Sequence, residues 1–299
     1  MNLKLTRKLK EVIASRLMLL ITALSSMLIF VMILGLFLKA RLILATQSLP
    51  ELLLSTSWHP LRGEFGFYPF ILGTIWVTVL AMFFSIPSCL LTSIYLTEYA
   101  SAKIRAFIKP LIDLLAGIPS VVYGLWGILV VVPLVKDHIA PLFGYPTSGY
   151  CLLTGGFVLA IMVFPVLISV SEEVFRAVPH EVREISLALG ATRWQTVKHA
   201  QMVPRIKGII AAIVLGFSRA FGETMAVMMV VGNVAQVPSS VFQPAYPLPA
   251  LIANNYGEMM SIPLYDAALL LAALLLLLIV LVFSVGARIV LLRIERRVV

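Results

Sequence analysis

The stretch EISLALGATRWQTVKHAQMVP, residues 184–204, has the pattern of two helices joined by a glycine. Apolar residues recur at helical spacing up to Leu189. Gly190 follows, and glycine readily takes the left-handed conformation that commonly ends a helix. Thr192 and Gln195 then have the spacing of a capping box, which begins a second helix. The stretch therefore predicts a helix–glycine turn–helix hairpin.

Long apolar runs flank this hairpin and recur through the chain. Of its 299 residues, 61% are hydrophobic and 12% are charged, whereas soluble domains contain about 25% charged residues. Six runs reach the roughly 20 residues that a spanning helix needs. They are 17–38, 70–96, 107–132, 150–170, 208–231 and 267–291. We predict an all-α, polytopic membrane protein with six transmembrane helices.

Details of two runs refine this prediction. The first run is too long for the apolar core of a secretory signal, so we expect an uncleaved first span. The third run contains AGIPS, residues 116–120, which we interpret as a packing kink or a short unwound piece within the span. Membrane helices tolerate such prolines where neighbouring helices satisfy the freed backbone groups.

The Lys and Arg residues orient the chain in the membrane. If the N-terminus is cytoplasmic, most of the 23 basic residues fall in the cytoplasmic tails and in the second–third and fourth–fifth loops. Both termini are therefore predicted to be cytoplasmic. The net charge of +9 follows from this topology, so we expect no nucleic-acid partner.

The hairpin lies in the fourth–fifth loop, residues 171–207, where no bilayer covers its apolar face. That face is predicted to comprise Val182, Ile185 and Leu189 on the first helix, and Trp194 and Val197 on the second. The hairpin either covers the inner surface of its own protein or docks a soluble partner. DNA recognition is disfavoured, because a helix tethered between two spans has little access to a duplex.

The segment SRAFGETMAV, residues 218–227, places charges inside the fifth run. A charged residue at the centre of a span costs roughly 2.5–3.5 kcal/mol on insertion scales. Arg219 and Glu223 are four residues apart and are expected on one helix face, where they can pair. They form either a structural ion pair or, with Ser218, the lining of a pathway, since an arginine fork matches the oxygens of an oxyanion.

Several stretches of the chain resemble the PstC-type phosphate permeases of binding-protein-dependent ABC importers. In the hairpin, Glu184, Ile185 and Ser186 stand at the first three positions of that family's Glu-Ala-Ala motif, and Gly190 stands at its glycine. The other stretches are FGFYPFILGTIWVT (65–78), LTEYA (96–100), KPLIDLLAGIPSVVYGLWG (109–127), GETMAVMMVVGN (222–233) and LPALIANNYGEM (248–259).

The resemblance implies a type I ABC importer permease with a MetI-like core in the cell membrane. Its expected partners are ABC ATPase subunits, a second, PstA-like permease subunit, an extracytoplasmic phosphate-binding protein and membrane lipid. The expected ATPase-coupling residues are Glu184, Ile185, Ser186, Leu189, Gly190 and Trp194. Ser218, Arg219 and Glu223 are expected along the substrate pathway, and Glu258 is a candidate outer gate.

The expected organisation has three parts. Residues 1–64 form a cytoplasmic tail, the first span and an outer loop. Residues 65–292 form the permease core, with the coupling loop at 171–207 and an outer segment at 232–265. Residues 293–299 form the C-terminal tail.

The expected chemistry is transport without catalysis by this chain. It has no Gly-x-x-x-x-Gly-Lys-Ser/Thr phosphate loop, so ATP and Mg²⁺ are expected on the partner ATPase and no cofactor or metal on this chain. An intramembrane enzyme is disfavoured, because no catalytic pair or zinc motif is present. Two alternatives stay open: a permease for another oxyanion such as sulfate or molybdate, and a self-sufficient channel or ion-coupled carrier.

Overall fold

The structure, a computed structural model, describes residues 2–257 and 262–297 and is almost entirely helical. Its helices are α1 (Asn2–Thr46), α2 (Leu49–Leu54), α3 (Tyr68–Ile94), α4 (Ala102–Gly117), α5 (Ser120–Trp126), α6 (Val132–Leu134), α7 (Ala140–Leu142), α8 (Leu152–Arg176), α9 (His180–Ala188), α10 (Arg193–Gln195), α11 (Met202–Phe221), α12 (Met225–Val230), α13 (Leu248–Asn255) and α14 (Pro263–Arg297). A small antiparallel hairpin pairs β1 (Trp58–His59) with β2 (Glu64–Phe65), around a 3₁₀ turn at Pro60–Arg62.

Within the described residues, five helical segments are long and apolar enough to cross a membrane. They are Glu11–Thr46, Tyr68–Tyr99, Ser120–Leu142, Leu152–Arg176 and Pro263–Ile289. Four of them contain or overlap the first, second, fourth and sixth predicted spans. The third and fifth predicted spans differ from the structure, in both cases because a helix breaks.

The predicted third span, 107–132, was wrong in its position. Helix α4 ends at Gly117, and Ile118 has extended backbone with ψ 128°. A residue before a proline disfavours helical geometry, so Pro119 separates two helices instead of kinking one. The apolar segment begins anew at Ser120 and runs through α5, α6, α7 and intervening π-helical turns to Leu142.

The predicted fifth span, 208–231, was wrong in its continuity. Helix α11 ends at Phe221, where the Gly222 and Glu223 amides donate to carbonyls three residues back, at 3.2 and 3.3 Å. The chain resumes helical form at Met225 and continues to Val230. The run is therefore a helix, a three-residue break and a short second helix.

Helices α3 and α8 form the centre of the fold and lie close together because small residues face each other. A Cβ on Gly156 would lie 2.8 Å from Leu80 Cδ2. The Ser85 hydroxyl also donates to the Ala160 carbonyl at 3.1 Å. Small residues and interhelical hydrogen bonds of this kind allow membrane helices to pack without a hydrophobic driving force between them.

The outer segment after α12 is folded against this core. The Ala245 amide donates to the Val231 carbonyl at 3.1 Å, and the Leu248 amide donates to the Thr74 hydroxyl of α3 at 2.8 Å. Helix α13 begins there with its first four residues buried. The first residues of α8 join the same segment, since the Leu152 amide donates to the Gln243 carbonyl at 2.9 Å. The described part of the outer segment is therefore folded and packed against the core.

Candidate functional site

The hairpin that the sequence predicted is present between α8 and α11. Helix α9 starts after Pro179 and ends with Leu189 as its C-cap residue. Gly190 follows with φ +84°, in the left-handed region. The Ala191 amide then donates to the Ser186 carbonyl at 3.2 Å, which satisfies one of the carbonyls left without a partner at the helix end.

The second helix of the hairpin begins with the predicted capping box. The Gln195 amide donates to Thr192 Oγ1 at 3.3 Å, and the Thr192 amide donates to Gln195 Oε1 at 2.8 Å. From there α10 passes through a π-helical turn at Thr196–Gln201 directly into α11. The second helix of the hairpin and the fifth apolar run up to Phe221 thus form one continuous helical rod, from Arg193 to Phe221.

The hairpin has an outward apolar face that nothing in the described chain covers. The side chains of Ile185, Leu189 and Trp194 are 61%, 84% and 52% exposed. Glu184 and Gly190 are also exposed, while Ser186 is half-buried.

The inward side of the hairpin packs on the chain's own helices. Val197 is buried with Phe175 and Ile209, and the Ser186 hydroxyl lies 2.9 Å from the buried Thr196 hydroxyl. The prediction that Val197 belongs with Trp194 to the exposed apolar face was wrong. Trp194 is 52% exposed, whereas Val197 is 1% exposed and packs with Phe175.

A buried charge cluster joins the hairpin to the π-helical turn Tyr95–Tyr99, which follows α3. The Glu98 carboxylate lies 3.6 Å from Arg183 Nε of α9 and 3.5 Å from Arg205 Nη1 of α11. The Arg205 guanidinium also stacks over the Phe175 ring, with Cζ 5.0 Å from the ring centroid. Burial lowers the pKa of Arg205, and the charge and hydrogen bonding of Glu98 oppose that shift.

Sequence reasoning missed this cluster, although one signal for it is visible. Glu98 is the only acidic residue between Glu64 and Asp113, and it lies at the end of an apolar run. A lone carboxylate at such a position needs a cationic partner if it is buried. The sequence does not show which of the inner-loop arginines supplies it, because that depends on tertiary packing.

The predicted pathway residues lie at the break between α11 and α12. Ser218 donates its hydroxyl hydrogen to the Val214 carbonyl at 3.0 Å, within its own helix. Arg219 is exposed, and it forms no ion pair with any residue that the structure describes. Glu223 accepts instead from the Ala226 amide at 3.3 Å, at the start of α12.

The expectation that Arg219 and Glu223 share a helix face and pair was therefore wrong. Helix α11 ends at Phe221, between the two residues, so the spacing of four residues no longer brings them to one face. The Glu223 carboxylate satisfies an amide at the beginning of the next helix. The Arg219 guanidinium is left to interact with groups outside its own helix.

Helix α5 lies directly beside this break. A Cβ on Gly124 would lie 2.5 Å from Met229 Sδ and 3.2 Å from Ala226 Cα, so the two helices approach each other closely at this glycine. The neighbouring Tyr123 interacts electrostatically with Arg219, and its hydroxyl donates to the Leu115 carbonyl at 2.8 Å. The stretch that contains Pro119 therefore contributes polar groups near the exposed arginine.

The candidate outer gate, Glu258, lies outside the described residues. Just before it, Asn254 and Asn255 donate to the Tyr246 hydroxyl at 3.1 and 3.0 Å. The Tyr265 hydroxyl donates to Asn255 Oδ1 at 2.7 Å. This polar network joins α13 to the beginning of α14. Among the described residues, no group of three or more His, Cys, Asp or Glu side chains is placed to hold a metal ion.

Comparisons with known proteins agree on the family to which the chain is similar. Residues 89–298 match the family described as "Binding-protein-dependent transport system inner membrane component". The phosphate transport system permease protein PstC of Xylella fastidiosa (strain Temecula1 / ATCC 700964) is 38% identical over 257 residues, which cover 81% of this chain and 79% of that protein. PstC of Haemophilus influenzae is 36% identical, over 79% of this chain and 81% of that protein. A probable PstC of Methanocaldococcus jannaschii is 34% identical, over 81% and 83%.

A solved structure agrees with these relatives at the level of the fold. An inward-facing structure of the MetNI methionine ABC transporter contains a chain with a TM-score of 0.58 and 15% identity, which covers 80% of this chain and 99% of that one. The described helices thus have the MetI-like permease fold, and the protein is a multi-pass membrane component. From the family match and the extent of these relatives, the chain belongs to the binding-protein-dependent transport system inner membrane components and, within them, to the PstC proteins.

Proposed function

We propose that this chain is the phosphate permease subunit of an ATP-driven ABC importer. The observation that carries the proposal is the continuous helical rod from Arg193 to Phe221. One end of the rod belongs to a hairpin with exposed apolar side chains. Its other end carries the exposed Arg219 at a helix break. A partner that moves the hairpin would therefore move the groups that face the substrate.

The partner proposed for the hairpin is an ABC ATPase. Leu189, Ile185 and Trp194 would insert into a groove of that subunit, because large exposed apolar groups mark protein contacts when no lipid covers them. Glu184, Ser186 and Gly190 would set the shape of the contact. ATP and Mg²⁺ would bind to the ATPase, and this chain would hold no cofactor. The solved relative in fold is part of a named ABC transporter, which supports this arrangement.

The proposed pathway lies where α11 and α12 meet. Arg219 is exposed on the single chain, so the face that carries it would meet a second, PstA-like permease subunit and form the pathway with it. The guanidinium fork suits a phosphate anion. Glu223 lies close in sequence and would limit how tightly the anion is held. Ser218 lies beside Arg219 and would line the same face.

The proposed topology keeps both termini in the cytoplasm. The broken α11–α12 unit would count as the sixth crossing, since transporters commonly use interrupted helices at the substrate site. The hairpin then lies on the cytoplasmic side with the ATPase. The segment 232–265 lies on the outer side, where an extracytoplasmic phosphate-binding protein would deliver the substrate and Glu258 would contribute to the gate. Residues 1–64, 65–292 and 293–299 would form the three parts that the sequence predicts.

The test is reconstitution of the complex that contains this chain, with its binding protein, into proteoliposomes. We expect labelled phosphate uptake that requires ATP and is competed by unlabelled phosphate but not by sulfate or molybdate. Competition by sulfate or molybdate would assign another oxyanion. Uptake by this chain alone, without ATP, would replace the importer proposal by a channel or ion-coupled carrier.

A further inference from the structure

Three arginines from three different elements hold the inner end of α3. Arg105, in α4, donates from Nε to the Leu96 carbonyl at 2.9 Å and from Nη2 to the Thr97 carbonyl at 3.1 Å. Arg183, in α9, donates from Nη2 to the Glu98 carbonyl at 3.3 Å. These carbonyls belong to the π-helical turn Tyr95–Tyr99, which ends the span. We call residues 96–98 with these arginines the inner junction.

The Glu98 side chain is the centre of the inner junction. It is 8% exposed and lies between Arg183 and Arg205, whose side chains are 26% and 3% exposed. Arg205 is further confined by the ring of Phe175 at the end of α8. A carboxylate and a guanidinium buried this far depend on each other, because each would otherwise be a buried unpaired charge.

The inner junction therefore connects α4, α9 and α11 to the turn that follows α3, and α9 and α11 do so through the Glu98 carboxylate. Helix α9 is one half of the hairpin that the proposed function assigns to ATPase docking, and Arg183 is its contact with α3. Helix α11 leads to Arg219, and Arg205 is its contact with the same carboxylate. Charge-assisted contacts with arginine are directional, so a displacement of one partner changes the geometry of the contact.

We propose that Glu98 is a positioning residue that transmits movement of the docking hairpin to the membrane helices. A displacement of α9 passes to α3 through Arg183 and is shared with α11 through Arg205. This inference rests on the proposed function and adds to it a second route of coupling, beside the continuous rod of α10 and α11.

The variants that test this are Glu98→Gln and Arg183→Gln, each of which removes one charge; Glu98→Gln does so with almost no change in volume. Their matched control is Lys103→Gln, which removes an exposed cation of α4 that is outside the junction and the docking face. We expect the amount of phosphate transported per ATP hydrolysed to fall by roughly tenfold or more in the two junction variants, since truncating one partner of a buried pair is costly. It stays unchanged in Lys103→Gln.

The double variant and the conservative variant separate transmission from stability. Glu98→Gln combined with Arg183→Gln loses no more coupling than either single change, because both disrupt the same contact. Glu98→Asp recovers part of the coupling. Junction variants that co-purify with their partners and transport as much phosphate per ATP as the wild type would overturn the proposal. So would variants that no longer assemble, because the role would then be structural.

A second measurement does not depend on the substrate. Hydrogen exchange of the purified chain in detergent reports how firmly α9 is held. We expect the α9 amides to exchange several-fold faster in Glu98→Gln than in Lys103→Gln, and unchanged exchange would contradict the junction. If the wild-type complex fails to transport phosphate, the proposed function fails, while this exchange measurement still decides whether Glu98 holds the hairpin.

Discussion

At the residue scale, Arg219 is the proposed contact between the chain and its substrate. It lies two residues before the end of α11, is exposed on the single chain, and forms no ion pair with the residues that the structure describes. A charge left in this state inside an apolar run is costly unless it faces water, a partner or a ligand. A pathway between two permease subunits provides all three.

Arg219→Ala is expected to cut phosphate uptake by roughly tenfold or more, since a hydrogen bond to a charged group contributes about 1.5–3 kcal/mol. The complex should still assemble, because the described chain gives Arg219 no structural ion pair. Uptake of labelled phosphate and co-purification of the partners measure the two effects. Arg219→Lys keeps the charge but not the fork, and it should recover only part of the uptake. Loss of assembly in Arg219→Ala would favour a structural role.

Gly190 is the second residue whose identity matters, because of the backbone conformation at its position. Its φ of +84° requires a residue that tolerates the left-handed region, and no atom lies within 4 Å of the position that a Cβ would take. Any effect of a substitution here therefore comes from the backbone and not from a steric clash in the isolated chain.

Gly190→Val should weaken capture of the ATPase several-fold, because a left-handed backbone costs a side-chain-bearing residue about 1–2 kcal/mol. Gly190→Asn should be milder, since asparagine visits this region more readily. Co-purified ATPase per unit of this chain is the measurement. Equal losses for Val and Asn would show that the groove of the ATPase, and not the turn, selects glycine.

At the element scale, the central contact is that between α3 and α8. Gly156 allows the approach, with its hypothetical Cβ 2.8 Å from Leu80 Cδ2. The hydroxyls of Ser85 and Ser93 add bonds to α8 carbonyls at 3.1 and 3.2 Å. This pair holds the inner junction in place, since Glu98 and Phe175 follow at the ends of the two helices.

Gly156→Leu should destabilise the protein by about 1–3 kcal/mol, the usual cost of overpacking a tight contact. Gly35→Leu is the matched control, because Gly35 lies on the exposed part of α1 with no atom within 4 Å of a Cβ. Thermal unfolding in detergent should show a lower Tm for Gly156→Leu alone. Equal Tm values for both variants would contradict close packing of α3 and α8.

Local signals predicted the elements well where neighbouring residues decide the structure. The turn at Gly190 and the capping box of Thr192 and Gln195 follow from residues within one helical turn of each other. The sequence did indicate an irregularity at AGIPS, as a kink or a short unwound piece, but not that the span begins only at Ser120. The break at residues 222–224 was missed, because three breaking residues hardly change the hydropathy of a long apolar run.

The pairings of Glu98 could not be predicted in the same way. Its partners, Arg183 and Arg205, follow 85 and 107 positions later in the chain, and both are ordinary members of a basic inner loop. Only the packing of α9 and α11 against α3 selects them. The Arg219–Glu223 pairing failed for a related reason, since it assumed a continuous helix.

At the scale of the whole molecule, exposed apolar surface occurs in two settings. The long α1 and the outward faces of the spanning helices suit lipid or a second subunit, and none of the most apolar window of α1 is buried. The hairpin is different, because the Lys and Arg pattern predicts that it lies in the cytoplasm. Its apolar side chains therefore need a protein partner.

The measurement that tests this most directly is a mild-detergent purification of the tagged chain from native membranes, with mass-spectrometric identification of the proteins that accompany it. Leu189→Glu places a charge on the docking face, where Leu189 is 84% exposed. Leu61→Glu is the matched control, since Leu61 is 88% exposed in the loop predicted to lie outside.

We expect an ATPase and a second permease to accompany the wild type and Leu61→Glu, and the ATPase to be lost from Leu189→Glu. A chain that purifies alone and intact, or an ATPase that Leu189→Glu retains, would contradict docking through the hairpin.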